Sequence, residues 1–232
     1  MNIAILIPEL GGGGAERVAQ ILGDYYVGQG EKVFYFLQDL NIKQDYPVKG
    51  QVIKTRIRSC MEEKNISDIQ RMMRLISSSL QMRRLKKQYH IDVAISFMEE
   101  FNYINILSKR RERVIVRICT ILSDRKELSG FLYEKKRVHF FYSKTDKVVV
   151  MSHYAWRDMH DYYRVPGKKL IRIPNPVVEC SEKRDEDEWE YGEKAFVCMG
   201  RLEGVKQHER IIRAFSYVAA CEKQAKLLVL GK

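Results

Sequence analysis

The chain has 232 residues, 45% of them apolar and 31% charged, with a net charge of +11. That balance is ordinary for a soluble globular protein. No stretch reaches the roughly 20 apolar residues of a membrane span, and the apolar opening at 3–8 is too short and lacks the basic flank of a signal peptide, so the chain is expected to stay in the cytoplasm. Cys60, Cys119, Cys180, Cys198 and Cys221 form no CxxC pair and have no histidine at zinc-ligand spacing, which points to reduced thiols and no metal.

Residues 2–8 (NIAILIP) read as a buried parallel strand. The glycines 11–14 follow, and then Ala15, Val18, Ala19, Leu22, Tyr25 and Tyr26 recur at helical spacing, with Gly28 and Gly30 ending the helix. KVFYFL (32–37) is the second strand and 52–57 a weaker third. The spacing predicts a long helix over 66–88, with Ile69, Met72, Met73, Ile76 and Leu80 along one side and Arg71, Arg74, Arg83, Arg84, Lys86 and Lys87 around the rest. Strands are expected at 92–97, 113–118, 147–151 and 170–173, and helices at about 100–109, 129–142 and 153–163.

Pro174, Asn175 and Pro176 break regular structure and mark a hinge. The acidic segment 178–193, with little apolar periodicity, reads as a linker. A second unit begins at Lys194 with a strand (KAFVCMG), a helix over 207–221 carrying Ile211, Ile212, Phe215, Val218 and Ala219 on one face, and a strand (AKLLVLG). Alternation of strand and helix predicts an α/β fold: a Rossmann-like, doubly wound parallel sheet over 1–177, and over 194–232 an incomplete second Rossmann-like domain. Two strands and one helix bury little core, so either a truncated piece or a chain completed by a separate partner chain is expected.

Functional loops of such sheets lie at the carboxyl ends of the strands. The glycine run sits there, between a strand and a helix, where backbone N–H groups and the helix dipole hold phosphate. It is not a Walker A loop, and its third glycine position falls on Glu16 or Arg17, which departs from the dinucleotide fingerprint. Asp39 after the second strand keeps a nicotinamide-binding oxidoreductase open as an alternative. The charge adds a second clue: residues 1–177 hold 31 Lys and Arg against 19 Asp and Glu, whereas 178–232 are nearly balanced. Such a surface attracts anionic membrane or phosphorylated ligands, while no nucleic-acid-binding motif is present.

The segment GGGGAERVAQILGDYYVGQGEKV resembles the amino-terminal domain of family 4 glycosyltransferases, which have the two-domain GT-B fold. VAISFMEEFNYINILSK (93–109), the stretch 147–177 and CMGRLEGVKQHERIIRAF (198–215) resemble further parts of that family. The resemblance implies an amino-terminal acceptor-side domain (1–177) and the start of a carboxyl-terminal nucleotide-sugar domain (194–232). It implies that Arg201 and Lys206, five apart, contact the diphosphate of a UDP- or GDP-linked donor, with Gly11, Gly12, Gly13 and Gly14 facing that diphosphate across the cleft. It further implies a retaining, metal-independent transfer of a hexose or N-acetylhexosamine to a glycan or lipid-linked acceptor at the inner face of the cell membrane. No cofactor beyond the nucleotide-sugar substrate is implied. Glu99 and Asn102, at a strand's carboxyl end, are candidates for the acceptor side, and no catalytic residue stands out in 119–125. Glu31 stands where the family often has His, and Gln207 where it usually has Gly. The family's Gly-x-Gly-Pro loop and Glu-x7-Glu element do not occur before Lys232, so the chain alone is expected to be inactive. An alternative is a non-catalytic acceptor- or membrane-binding module, or a subunit of a split transferase.

Overall fold

The computed structural model describes residues 1–38, 46–57, 59, 66–124, 130–177 and 194–231. Asp39, the acidic segment 178–193, Cys60 and Cys180 lie outside the described residues. Contacts divide the chain into two units, Met1–Val177 and Val178–Lys232.

In the first unit, β1 (Asn2–Leu6), β2 (Lys32–Leu37), β3 (Gln51–Lys54), β4 (Val93–Phe97), β5 (Arg113–Ile118), β6 (Lys147–Val150) and β7 (Leu170–Arg172) form one sheet in the order β3-β2-β1-β4-β5-β6-β7. Every pairing is parallel. Parallel strands need crossovers, and these place helices on both faces. Alternate residues therefore feed two cores. Ala4, Leu6, Phe36, Ala94 and Val116 pack with Leu75 and Met82 of α2 (Asp68–Gln88), Phe101 and Ile104 of α3 (Glu99–Leu107) and Phe141 and Tyr142 of α4 (Lys135–Tyr142). Ile3, Ile5, Val33, Tyr35 and Ile95 pack against Val18 and Ala19 of α1 (Gly14–Gly28) on the other face. The strand order reverses between β1 and β4, and at such a switch point the loops at the carboxyl ends part to leave a crevice.

Several expectations about this unit change. Helix α2 buries Leu75, Ser78, Ser79, Met82 and Lys86, not the stripe its apolar spacing suggests. Ile69, Met73, Ile76 and Leu80 are 73%, 65%, 47% and 55% exposed. At 100° per residue the buried face is turned by about 120° from the expected one. The cause is polar: Lys86 Nζ reaches inward to Glu112 Oε1 at 2.9 Å, Asn105 Oδ1 at 2.7 Å and Asn105 O at 3.0 Å, with the two charged side chains 1% and 2% exposed. The helix expected over 153–163 is instead α5 (His153–Arg157) followed by a π-turn, Asp158–Tyr162. Its Asp158 carboxylate turns inward to accept from Leu122 N (2.9 Å) and Ser123 N (3.3 Å). β3 is also shorter than expected and ends at Lys54, although Thr55 N and its hydroxyl still donate to Leu37 O.

In the second unit β8 (Ala195–Met199) and β9 (Lys226–Leu230) pair in parallel, with α6 (His208–Cys221) as the crossover. Phe196 and Phe215 meet with ring centroids 5.7 Å apart. Ile211, Phe215 and Val218 are half-buried, but Ile212 and Ala219 are exposed, and no described residue of this unit is fully buried.

Candidate functional site

β1 hands the chain to a loop anchored by Leu10, which is buried and whose carbonyl accepts from Tyr46 N. Pro8 O accepts from Gln38 N at 2.9 Å, which ties the loop to the end of β2. Gly13 is the N-cap of α1 and carries no side-chain cap, while Gly12 and Gly14 are exposed. The first N–H groups of α1 are therefore left without the usual hydroxyl or carboxamide cap. Among the described glycines only Gly30 has a positive φ, so this loop does not need glycine for its backbone angles. At Gly13 the loop is crowded by a neighbouring side chain. A Cβ on Gly13 would lie 2.1 Å from Glu16 Oε2, whereas one on Gly14 would meet nothing within 4 Å and one on Gly11 only ordinary contact with Glu9. Glu16 is buried in the first turn of α1, where a carboxylate suits the positive end of the helix dipole.

The opposite lip follows β4. Met98 takes φ 67° and ψ 148° at the N-cap of α3. A non-glycine residue there stores about 1–3 kcal/mol of strain, which characteristically collects at functional positions. The turn sets Glu99 and Asn102 on different sides of the lip. Glu99 is half-exposed and its Oε2 accepts from Tyr133 OH at 3.4 Å. Asn102 is wholly buried: its Oδ1 accepts from Ser96 Oγ (2.8 Å) and its Nδ2 donates to Arg117 O and Tyr142 OH (both 3.2 Å). Asn105 Nδ2 donates to Ala94 O and Ser96 Oγ (both 3.1 Å) and to Ile115 O (3.4 Å). Asn102 thus faces the sheet and is not presented to a ligand; of the two acceptor-side candidates, only Glu99 reaches solvent.

Arg117 and Cys119 extend the site across the end of β5. Arg117 is buried, and its Nη2 donates to Asn175 Oδ1 at 2.7 Å and Ile173 O at 3.4 Å. Desolvation lowers its pKa, and it forms no ion pair among the described residues. The hinge residue Asn175 is thereby pinned to the sheet, while Pro174 and Pro176 on either side are exposed. Burial pushes the Cys119 thiol up to about 11, helped by the Glu99 and Glu16 carboxylates, so it stays protonated at neutral pH and is a poor nucleophile. Cys119, Cys198 and Cys221 are free. Among the described residues no group of three or more His, Cys, Asp or Glu side chains could hold a metal ion.

In the second unit, Gly200 to Lys206 form the loop after β8. Gly200 N donates to Leu230 O, and a Cβ on Gly231 would fall 2.1 Å from Gly200 O, so the two strand ends close tightly. The stem of Lys206 lies over Gly200. Arg201 Nη1 pairs with Glu203 Oε1 at 2.9 Å, both well exposed, and its carbonyl is 2.9 Å from His208 Nε2. An exposed pair of this kind is weak, so the guanidinium can exchange partners at little cost. Gln207 adopts φ 52° and ψ 40°, the left-handed conformation that glycine takes freely.

Glu16, Met98 and Arg117 join the site without having been singled out in the sequence. Glu16 had a signal, an acid three residues past the last cap-competent glycine. Arg117 had one too, a charge inside the strand RVIVRI. Met98 had none, because a positive φ at methionine leaves no mark in composition.

The sequence model of glycosyltransferase family 4 matches residues 12–179. No curated protein matches the chain. Among solved structures, sucrose-phosphate synthase from Thermosynechococcus elongatus is 14% identical with a TM-score of 0.68, covering 100% of this chain and 62% of that one. HepE of Anabaena in complex with UDP and glucose is 13% identical, with a TM-score of 0.66 and coverage of 99% and 60%. The apo form of the lipopolysaccharide outer core galactosyltransferase WaaB is 13% identical, with a TM-score of 0.63 and coverage of 100% and 69%. The chain therefore has the fold of these GT-B enzymes and spans about 60–69% of their length.

Proposed function

The chain belongs to glycosyltransferase family 4, and on that footing we propose that the whole protein moves a hexose or N-acetylhexosamine from a nucleotide sugar to a hydroxyl of a glycan or lipid-linked acceptor. The observation that carries the reading is the uncapped start of α1 behind exposed glycines, at the switch point of a sheet matched to this family. In this reading the C1–O bond to the diphosphate breaks, the acceptor oxygen bonds to C1 with retention of configuration, and the proton of the acceptor hydroxyl leaves with the departing diphosphate. Negative charge grows on the departing nucleoside diphosphate. In the second unit Arg201 and Lys206 are the cations suited to stabilise that charge without a metal; in the first, the backbone N–H groups at Gly12 to Gly14 are, taken by themselves, donors suited to phosphate. Glu99 serves the acceptor side. A nucleotide-sugar donor, UDP- or GDP-linked, fits this reading; the likeness to HepE, whose structure holds UDP and glucose, supports the nucleotide-sugar class. With a lipid-linked acceptor the protein works peripherally at the inner face of the membrane; no helix among the described residues is long and apolar enough to cross one.

Calorimetric titration of the chain with UDP, GDP and NADH, with and without a chelator, tests the donor side. Binding of one nucleoside diphosphate, insensitive to chelator and weakened about tenfold or more by Arg201→Ala or Lys206→Ala, is the expected result. Binding of NADH alone, or nucleotide binding indifferent to both substitutions, would sink the reading. The anomeric configuration of the product, read by NMR, decides retention.

A further inference from the structure

The outward line of α2 changes character along its length. Ile69, Met73, Ile76 and Leu80 fall within about 60° of one another around the axis, and all four are largely exposed. Arg83, Arg84 and Lys87 continue the same line, also exposed. At that end Arg84 and Lys87 meet His90, Arg110 and Arg111 around a hollow of about 660 Å³. It opens at the amino-terminal ends of β4 and β5, the opposite end of the sheet from the glycine loop. Two carboxylates line it: Glu112 is buried and accepts from Lys86 and from Arg110 N, whereas Asp92 is exposed and its Oδ2 accepts from Asn2 N. Arg84, Lys87, Arg110 and Arg111 form no ion pair among the described residues, and the single exposed carboxylate of the hollow, Asp92, offsets only part of their charge.

We propose that this surface docks the chain on an anionic lipid membrane. Ile69, Met73, Ile76 and Leu80 enter the boundary between headgroups and acyl chains, and the cationic hollow receives lipid phosphates. Four aligned apolar side chains would be idle on nucleic acid, and a second copy would bring the same cations face to face. An anionic amphiphilic surface satisfies both halves of the line at once, because apolar burial and attraction to anionic headgroups act together. The inference rests on the transferase reading for its purpose, since a lipid-linked acceptor lies at such a surface, but not for its chemistry.

The test is co-sedimentation of the full chain, without nucleotide, with vesicles of phosphatidylglycerol and phosphatidylcholine in equal parts, and with phosphatidylcholine alone. Ile76→Ser/Leu80→Ser and Arg84→Glu/Lys87→Glu change exposed residues, and circular dichroism checks that each folds. Binding to the anionic vesicles only, cut roughly tenfold or more by either pair of substitutions and weakened by salt, is expected. No binding by the folded chain, or binding that both variants retain, overturns the proposal. So does self-association in light scattering that the Ser pair abolishes while vesicles are ignored. Full competition by inorganic phosphate would assign the hollow to free anions instead and equally overturn it. None of these outcomes depends on nucleotide binding, so this inference and the donor-side reading fail separately.

Discussion

Replacing Glu112 by Gln would leave the Lys86 ammonium in a pocket where its side chain is 1% exposed, with Asn105 as its remaining partner. Breaking one side of such a buried pair costs about 3–5 kcal/mol. An independent ceiling comes from deprotonation: a lysine with an ordinary pKa of 10.5 can be stripped of its proton at pH 7 for about 5 kcal/mol. The expected loss therefore lies at about 3–5 kcal/mol, a large share of the stability of a typical domain. Urea unfolding followed by far-UV circular dichroism reads it as a fall in midpoint at unchanged slope. The double variant Lys86→Met/Glu112→Leu removes both charges and should recover most of the loss. A pH series adds a sign. Burial, more than the attraction of Glu112 offsets, holds Lys86 at about 8 in the folded chain. Between that value and 10.5 the unfolded chain binds more protons, so folded stability rises with pH there. The wild-type chain should gain on the double variant across that window and run parallel to it just below. A Glu112→Gln loss under about 1 kcal/mol, or single-substitution costs that simply add in the double variant, would refute the reasoning.

Two further predictions concern backbone chemistry. Gly13→Ala should destabilise the first unit by up to about 1 kcal/mol, since its Cβ displaces the flexible end of the Glu16 side chain and alanine is a poorer N-cap than glycine, and Gly13→Ala/Glu16→Ala should restore part of it. Gly14→Ala, in open space at the first position of α1, should be neutral or stabilising in the same thermal melts. Gln207→Gly should relieve the left-handed backbone and raise the stability of the second unit by up to about 1 kcal/mol. Gln207→Val should lower it, as followed by hydrogen exchange of α6.

Much of this fold is legible because parallel strands buried on two faces must be short apolar runs, and NIAIL, KVFYF and RVIVRI are that plainly. The strand–helix alternation then fixes the loops that carry the site. Legibility stops where a distant residue decides. Apolar residues occur on more than one side of α2, and the side that turns inward is the one on which Lys86 meets Asn105 and Glu112, the latter 26 positions away. In the same way GGGG reads as one feature, yet the Glu16 carboxylate crowds Gly13 while Gly14 stands in open space. Asn102 and Glu99 look alike from their place after β4, and the hydroxyls of Ser96 and Tyr142 separate them.

The polar seam of Ser96, Asn102 and Asn105 also bears on how the sheet finds a single alignment. Strands that are apolar on both faces discriminate poorly between neighbouring registers, because a slipped pair still buries hydrophobic surface. Here slipping β5 against β4 would carry Ile115 O and Arg117 O away from the two amides of α3; Asn105 keeps Ala94 O and Ser96 Oγ, while Asn102 keeps only Tyr142 OH and leaves one buried N–H unpaired at about 1–3 kcal/mol. The amides act as a ruler laid across two strands, and they make the register beside the candidate site a matter of hydrogen-bond satisfaction more than of hydrophobic fit.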